Sequence, residues 1–312
     1  MFKKIYQKFI SLKVVAFIIF LSKKISLPGF EGIPFYDVFV FFVKGMQKGY
    51  LTQRAAALSF NFFLALFPAV IFFFTLIPYL PIHNIQQTLY DIIQTLVPEN
   101  AFESIKTTIT DILVHKRNGL LSLGFILALY FATNGVTAII DAFNQTFHQI
   151  ETRKWYRKKL ISIFLVIMLA VLLILAILLI TVGSYLLSFL AREGFLKTQF
   201  NYYLLETGRW LVLSLMVFIG ISFLYYFGPS KKKYFKFISA GSSLATMLTL
   251  LTSVGFNIYV TNFSKYNTLY GSIGTLIIVL LWIYFNSIIL LIGFELNASI
   301  HNAKKNKGNI SL

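Results

Sequence analysis

The chain has 312 residues, of which 57% are apolar and 12% are charged, with 28 lysines and arginines against 11 aspartates and glutamates. A soluble domain is usually about 45–50% apolar and about 25% charged, so this composition excludes a soluble globular protein, a disordered chain and a collagen-like chain. The absence of cysteine also excludes disulfides, thiolate metal sites and cysteine nucleophiles.

The N-terminal segment, residues 1–54, predicts two amphipathic helices lying in the membrane interface. Helical spacing gives the first helix an apolar face from Phe2 to Ala16, opposite several lysines. Pro28, Gly29 and Pro34 interrupt the pattern. The apolar face of the second helix consists of Phe35, Phe39, Phe42, Val43 and Met46.

Six long runs without charged residues follow, and each exceeds the roughly 20 residues that a helix needs to cross a bilayer. Only helices satisfy their own backbone hydrogen bonds in lipid without the alternating pattern of a barrel strand. The sequence therefore predicts an all-α polytopic membrane protein, with a single domain of six transmembrane helices over 55–299 and a tail over 300–312. The runs are Ala55–Ile82, Asn118–Ile140, Leu160–Ala191, Trp210–Ser230, Phe237–Ser264 and Tyr266–Phe294.

The segment between the first two runs, residues 83–117, has helical apolar spacing broken at Pro98. This pattern predicts an extracytoplasmic helical hairpin. It carries four of the eleven acidic residues, so the outer face is nearly neutral.

The distribution of positive charge predicts the orientation, because lysine and arginine accumulate on the cytoplasmic side of membrane proteins. Of the 28 basic residues, 21 lie in 1–54, 141–159, 231–236 and 295–312, which places both termini in the cytoplasm. A basic surface is also typical of nucleic-acid binding. Since the charges cluster beside the spans, we expect membrane lipids with anionic headgroups as partners at the cytoplasmic rim, and no nucleic acid.

Polar and helix-breaking residues form stripes in and beside the uncharged runs, which themselves contain no ionisable side chain. Such stripes pack helices closely and hydrogen-bond across their interfaces, or line a cavity or gate. Arg54, Asp141 and Glu295 all fall at cytoplasmic helix ends, where they form either a salt-bridge latch or a substrate gate. The candidate cavity or gate residues are Arg54, Asn61, Pro68, Asn134, Asp141, Asn144, Ser242, Thr246, Thr249, Ser253, Asn286, Glu295 and Asn297.

The four histidines show no spacing typical of a metal site. We therefore expect no metal, no cofactor and no catalytic residue.

Several motifs resemble, in order, those of the YihY/BrkB family of bacterial inner-membrane proteins. Together they cover 54 to 299. They are Arg54-Ala55-Ala56-Ala57-Leu58-Ser59-Phe60, Leu66-Phe67-Pro68, Asn144 before Phe147, Arg153 with Trp155 and Arg157, Tyr270-Gly271-Ser272-Ile273-Gly274, Leu281-Trp282-Ile283-Tyr284 and Gly293-Phe294-Glu295-Leu296-Asn297. The resemblance implies a multi-pass protein of the bacterial inner membrane.

The chain departs from the family pattern at Phe60-Asn61, Ala65, Phe147 and Phe294, where an aromatic pair, serine, tyrosine and alanine are usual. The family once carried a ribonuclease BN label. Hydrolysis of RNA generally needs clustered carboxylates or histidines to hold metal and activate water, and the acidic residues here are scattered.

Three functions follow from these observations. The favoured one is a non-enzymatic membrane protein that transports or accommodates a lipidic or amphipathic anionic molecule through a polar-lined cavity. The alternative is a non-transporting scaffold that organises an envelope complex through the hairpin at 83–117. A ribonuclease that processes transfer RNA is the remote third possibility.

Overall fold

The computed structural model describes residues 20–48, 50–76, 79, 118–146, 153–192, 199–230, 236–262 and 272–310. These residues contain no strand. Their principal helices are α1 (Phe35–Lys48), α2 (Leu51–Leu76), α3 (Asn118–Thr146), α4 (Trp155–Arg192), α5 (Gln199–Phe227), α6 (Ala240–Asn262) and α7 (Ser272–Ile310).

Six of these helices, α2 to α7, are long and apolar enough to cross a membrane. The prediction of an all-α polytopic membrane protein is thereby confirmed. The first amphipathic helix and the hairpin at 83–117 lie outside the described residues, and both stay predictions.

Two helices continue well past the ends of their uncharged runs. α3 extends beyond Ile140 to Thr146, and α7 extends beyond Phe294 to Ile310. Asp141 and Glu295 are therefore held on helical turns rather than in loops. Much of the segment predicted as a tail over 300–312 is likewise helical.

The chain divides into two compact units, one formed by Met1–Ser59 with Thr137–Leu312 and the other by Phe60–Val136. In the first unit α7 packs against α6 and α1, while α5 packs against α4 and α6. In the second unit α2 and α3 meet at Gly124, where a Cβ would lie 3.2 Å from the Phe72 backbone.

The buried face of α1 differs from the predicted apolar face. Val38 is buried with Phe30 and Ile33 of the preceding loop and with Ile300 and Ala303 of α7. Phe35 and Phe39, by contrast, are 37% and 51% exposed. The helix is amphipathic as predicted, but because α1 packs against α7, the stripe that contains Val38 is buried instead of the stripe that contains Phe35 and Phe39.

An aromatic cluster forms part of the core of the first unit. The rings of Phe143 and Phe294 stack with centroids 4.1 Å apart, and Tyr225 packs edge-on against both. All three side chains are fully buried. Phe294, which departs from the small residue of the family pattern, thus fills the core as one face of an aromatic stack.

Candidate functional site

α6 and α7 cross with their backbones in contact near the start of α6. A Cβ on Gly241 would overlap the carbonyl oxygen of Gly293, and a Cβ on Gly293 would overlap the carbonyl oxygen of Gly241. The Tyr225 hydroxyl also reaches this crossing and donates a 2.7 Å hydrogen bond to the Leu290 carbonyl. Small residues at a crossing let membrane helices approach closely, and here glycine is required on both sides.

Asn297 fixes the start of α6 to this crossing. Its Oδ1 accepts a 2.8 Å hydrogen bond from the Gly241 backbone N–H, and its Nδ2 donates to the Ser239 hydroxyl at 2.9 Å. Ser239 and Ser242 form reciprocal caps, since each hydroxyl accepts the other residue's backbone N–H at 3.1 Å. These bonds satisfy N–H groups that the first helical turn leaves without an intrahelical partner.

Two hydroxyls of the α6 stripe bond to carbonyls of their own helix. Thr246 donates to the Ser242 carbonyl and Ser253 donates to the Thr249 carbonyl, both at 2.8 Å. Ser242 and Thr246 are buried, while Thr249 and Ser253 are half-buried. None of the four lines either of the two cavities described below.

Arg54 and Glu295 are brought together as a buried charge pair in the first unit. Both side chains are buried, and Glu295 interacts electrostatically with the Arg54 guanidinium. The guanidinium also donates a hydrogen bond to the Ala142 carbonyl. On its other side Glu295 lies against α1, where a Cβ on Gly45 would overlap the carboxylate. Glycine at that position therefore makes room for the acid.

Asp141 pairs with Lys158 of α4, so it has a different cation from the one considered in the sequence. Its neighbour Asn144 is buried, and the Asn144 Oδ1 accepts the Ser230 backbone N–H at 3.2 Å. Arg153 donates to the Gly228 carbonyl at 2.7 Å, just beyond the end of α5. Together these side chains join the ends of α3, α4 and α5.

The remaining candidates lie elsewhere. Asn61, Pro68 and Asn134 belong to the second unit, and α2 continues through Pro68 without a break. Asn286 is half-buried on α7, where its Nδ2 donates to the Trp282 carbonyl at 2.8 Å.

An apolar cavity of about 700 Å³ lies between α1, the loop before it, and the start of α6. We call it the apolar cavity. Its walls include Leu27, Phe30, Phe35, Phe39, Ser243 and Leu244. Ligand pockets usually have volumes of about 300–1,000 Å³ and predominantly apolar walls, which matches this cavity.

A smaller pocket of about 260 Å³ adjoins it, and we call this the polar pocket. The two cavities share Gly29, Ile238 and Ser239 in their walls. Beyond that shared wall the polar pocket is lined by Glu31, Lys236, Asn297, Ile300 and His301. An apolar cavity therefore lies beside a polar pocket that carries cationic and hydrogen-bonding groups.

Glu31 closes one side of the polar pocket. Its carboxylate bonds to the ammonium groups of Lys304 at 2.5 Å and Lys236 at 3.0 Å. Hydrogen bonds from Lys304 and Lys236 lower the pKa of the Glu31 carboxyl. The carboxylate thus ties the loop before α1 to the end of α7 and to the segment before α6.

Sequence reasoning predicted Asn297 as a cavity residue, but it missed Glu31, Lys236 and His301. A serine followed three residues later by a second serine at a helix start was the available signal for the cap at Ser239. No local pattern indicated the Glu31 ion pairs, because Lys304 is 273 residues away in the chain. Among the described residues, no three histidine, aspartate or glutamate side chains come together as a metal site.

Comparison with known proteins identifies the relatives of this chain. The family model described as virulence factor BrkB matches residues 42–311. The chain belongs to the BrkB family. This BrkB family member is 33% identical to the ribonuclease-like protein YfkH of Bacillus subtilis over 253 residues, which cover 81% of this chain and 91% of YfkH.

Two UPF0761 membrane proteins are also similar to this BrkB family member. The one from Mannheimia succiniciproducens is 26% identical over 88% of this chain and 93% of its own length. The one from Alteromonas mediterranea is 26% identical over 87% of this chain and 90% of its own length. No solved structure shows a significant match.

Proposed function

We propose that this BrkB family protein accommodates an anionic amphiphile of the surrounding membrane, with its hydrocarbon chain in the apolar cavity and its headgroup in the polar pocket. The observation that carries this proposal is the shared wall of the two cavities at Gly29, Ile238 and Ser239. An amphiphile needs an apolar volume beside a polar one. Lys236 and His301 supply groups that attract or hydrogen-bond a phosphate.

The proposed ligand site differs from the cavity that the polar stripes of the sequence predicted. Thr246 and Ser253 of the α6 stripe bond to their own backbone, and no residue of the stripe lines either cavity, so the stripe offers little support for a polar-lined cavity along α6. Of the candidate residues, Asn297 lines the polar pocket, and it does so while capping α6. Transport would follow from release of the bound amphiphile to the opposite leaflet.

Under this proposal the protein is not an enzyme and has no nucleic-acid partner. It lies in the bacterial inner membrane with both termini in the cytoplasm. Three of the described acidic side chains are paired with cations rather than with one another: Glu31, Asp141 and Glu206. The basic helix ends agree with an inner face that meets anionic headgroups. The ribonuclease-like name belongs to the Bacillus relative.

A photoreactive phosphatidylglycerol, carrying its reactive group at the end of one acyl chain, tests this proposal. Ser243 is exposed and lines the apolar cavity, so Ser243→Trp should fill the cavity and greatly reduce labelling of its walls. Met247→Trp is the matched control, since Met247 is 60% exposed one turn later on α6 and does not line the cavity.

Equal labelling of the two folded variants would overturn the proposed site. Equal labelling by a phosphatidylcholine probe would refute the preference for anions. If neither probe labels the cavity walls, the scaffold hypothesis becomes the better one.

A further inference from the structure

The loop that carries Glu31 is held in a strained conformation. Glu31 has φ 53°, in the left-handed region that side chains with a Cβ rarely adopt, between Gly29 at φ 86° and Gly32 at φ 76°. A strained residue of this kind persists only where the surrounding contacts compensate for it. The turn that contains Glu31 is closed by a 2.9 Å hydrogen bond from the Ile33 N–H to the Phe30 carbonyl, and the two carboxylate oxygens of Glu31 pair with Lys236 and Lys304.

The two ion pairs of Glu31 are weak. Lys236 and Lys304 have side chains that are 71% and 58% exposed, and ion pairs with exposed ammonium groups contribute little to stability. A competing anion can therefore replace the carboxylate at small cost.

The Glu31 carboxylate occupies the place that a headgroup phosphate would take. Glu31 and Lys236 line the polar pocket together, and His301 interacts electrostatically with Glu31, Lys304 and Lys305. Two lysines thus flank one carboxylate. A phosphate placed between Lys236 and Lys304 would make the same bonds that Glu31 makes.

The loop also forms part of the apolar cavity. Leu27, Pro28, Gly29 and Phe30 all contribute to its wall, and Gly29 lies against the start of α6, where an added Cβ would be 3.1 Å from the Ala240 Cβ. Glu31 therefore belongs to the loop that lines the apolar cavity, and this loop is anchored in the core through Phe30 and Ile33.

We propose that Glu31 is a built-in competitor for the anionic headgroup, which it mimics at Lys236 and Lys304, and that the headgroup enters the polar pocket by displacing the Glu31 carboxylate. This inference rests on the proposed function, since it names how entry to the same site is regulated. Amphiphiles with weakly charged headgroups would therefore not displace the Glu31 carboxylate.

Binding measurements on the full chain in nanodiscs test the inference, with phosphatidylglycerol and phosphatidylcholine as probes. Glu31→Gln removes the competing charge and should raise the affinity for phosphatidylglycerol about two- to tenfold, the range expected for release of exposed ion pairs. The affinity for phosphatidylcholine should change less. Asp37→Asn, which removes one carboxylate from the first turn of α1 outside both cavities, should leave both affinities unchanged.

Lys236→Gln is a second test. It removes a cation that both Glu31 and the headgroup would use, so it should not raise the affinity for phosphatidylglycerol. If wild-type protein binds phosphatidylglycerol and Glu31→Gln binds it no better, the competitor role is wrong while the proposed function stands. If wild-type protein does not prefer phosphatidylglycerol and Glu31→Gln does not restore that preference, both fail. Melting temperatures of each variant confirm that the compared proteins are folded.

Discussion

Gly241 of α6 and Gly293 of α7 bring two membrane helices into backbone contact, and neither position has room for a Cβ. Gly241→Ala should therefore lower the thermal stability of the protein in detergent. Overpacking usually costs about 1–3 kcal/mol, and a conflict with backbone belongs at the upper end of that range because backbone cannot rotate away. Gly255→Ala on the same helix is the matched control, since an added Cβ there meets nothing within 4 Å. Equal melting temperatures for the two variants would refute this crossing.

The buried Arg54 should be more important for stability than an exposed cation. Arg54→Ala leaves Glu295 buried without that electrostatic partner, and breaking a buried pair in this way commonly costs about 3–5 kcal/mol. Lys44→Ala on α1 removes an exposed cation and should have little effect. Thermal melts of both variants in detergent measure the difference. Equal melting temperatures would mean that Arg54 extends to lipid headgroups instead.

The hydroxyl stripe of α6 and the polar pocket should differ in access to water. The chain has no cysteine, so each introduced thiol is the only one. Thr246→Cys should be protected from a small water-soluble thiol reagent, because Thr246 is buried and bonds to the Ser242 carbonyl. Lys236→Cys should react, because the Lys236 side chain is 71% exposed and lines the polar pocket. Fast labelling of Thr246→Cys in folded protein would instead support the polar-lined cavity predicted from the sequence.

The predicted orientation can be measured with single cysteines at two exposed positions. Lys154 precedes α4 on the basic side, whereas Tyr203 lies near the start of α5 on the opposite side of the predicted topology. In intact cells an impermeant thiol reagent should label Tyr203→Cys and spare Lys154→Cys. The reverse pattern would invert every assignment of sidedness.

The ion pairs of Glu31 should make part of the stability depend on pH. A pKa lowered in the folded state means that Glu31 stabilises the fold above its unfolded pKa of about 4.3 and that this contribution disappears as the pH falls through the lower folded value. The contribution should stay below about 1 kcal/mol for each exposed pair. Melting temperatures of wild type and Glu31→Gln should therefore differ at neutral pH and converge in acid. A difference that does not shrink as the pH falls from neutral would contradict an electrostatic origin.

The sequence by itself determined the fold class and the approximate positions of the six spans. Hydropathy is a local property of the chain, and a bilayer requires every spanning segment to satisfy its own backbone, so an uncharged run such as Asn118–Ile140 has one structural solution. Local patterns also predicted the helix at Phe35–Lys48, which the structure confirms.

Only the tertiary structure decided which side chains meet. The sequence placed Arg54, Asp141 and Glu295 at one depth, but packing pairs Asp141 with Lys158 and places Glu295 against Gly45, with Arg54 as its electrostatic partner. It likewise turned Asn297 into a cap for α6 and brought Glu31 to Lys304 across 273 residues of chain. A helical stripe records which residues share a face. It does not record which helix that face will meet, because crossing positions depend on the fit of whole helix surfaces, and here on two glycines in contact.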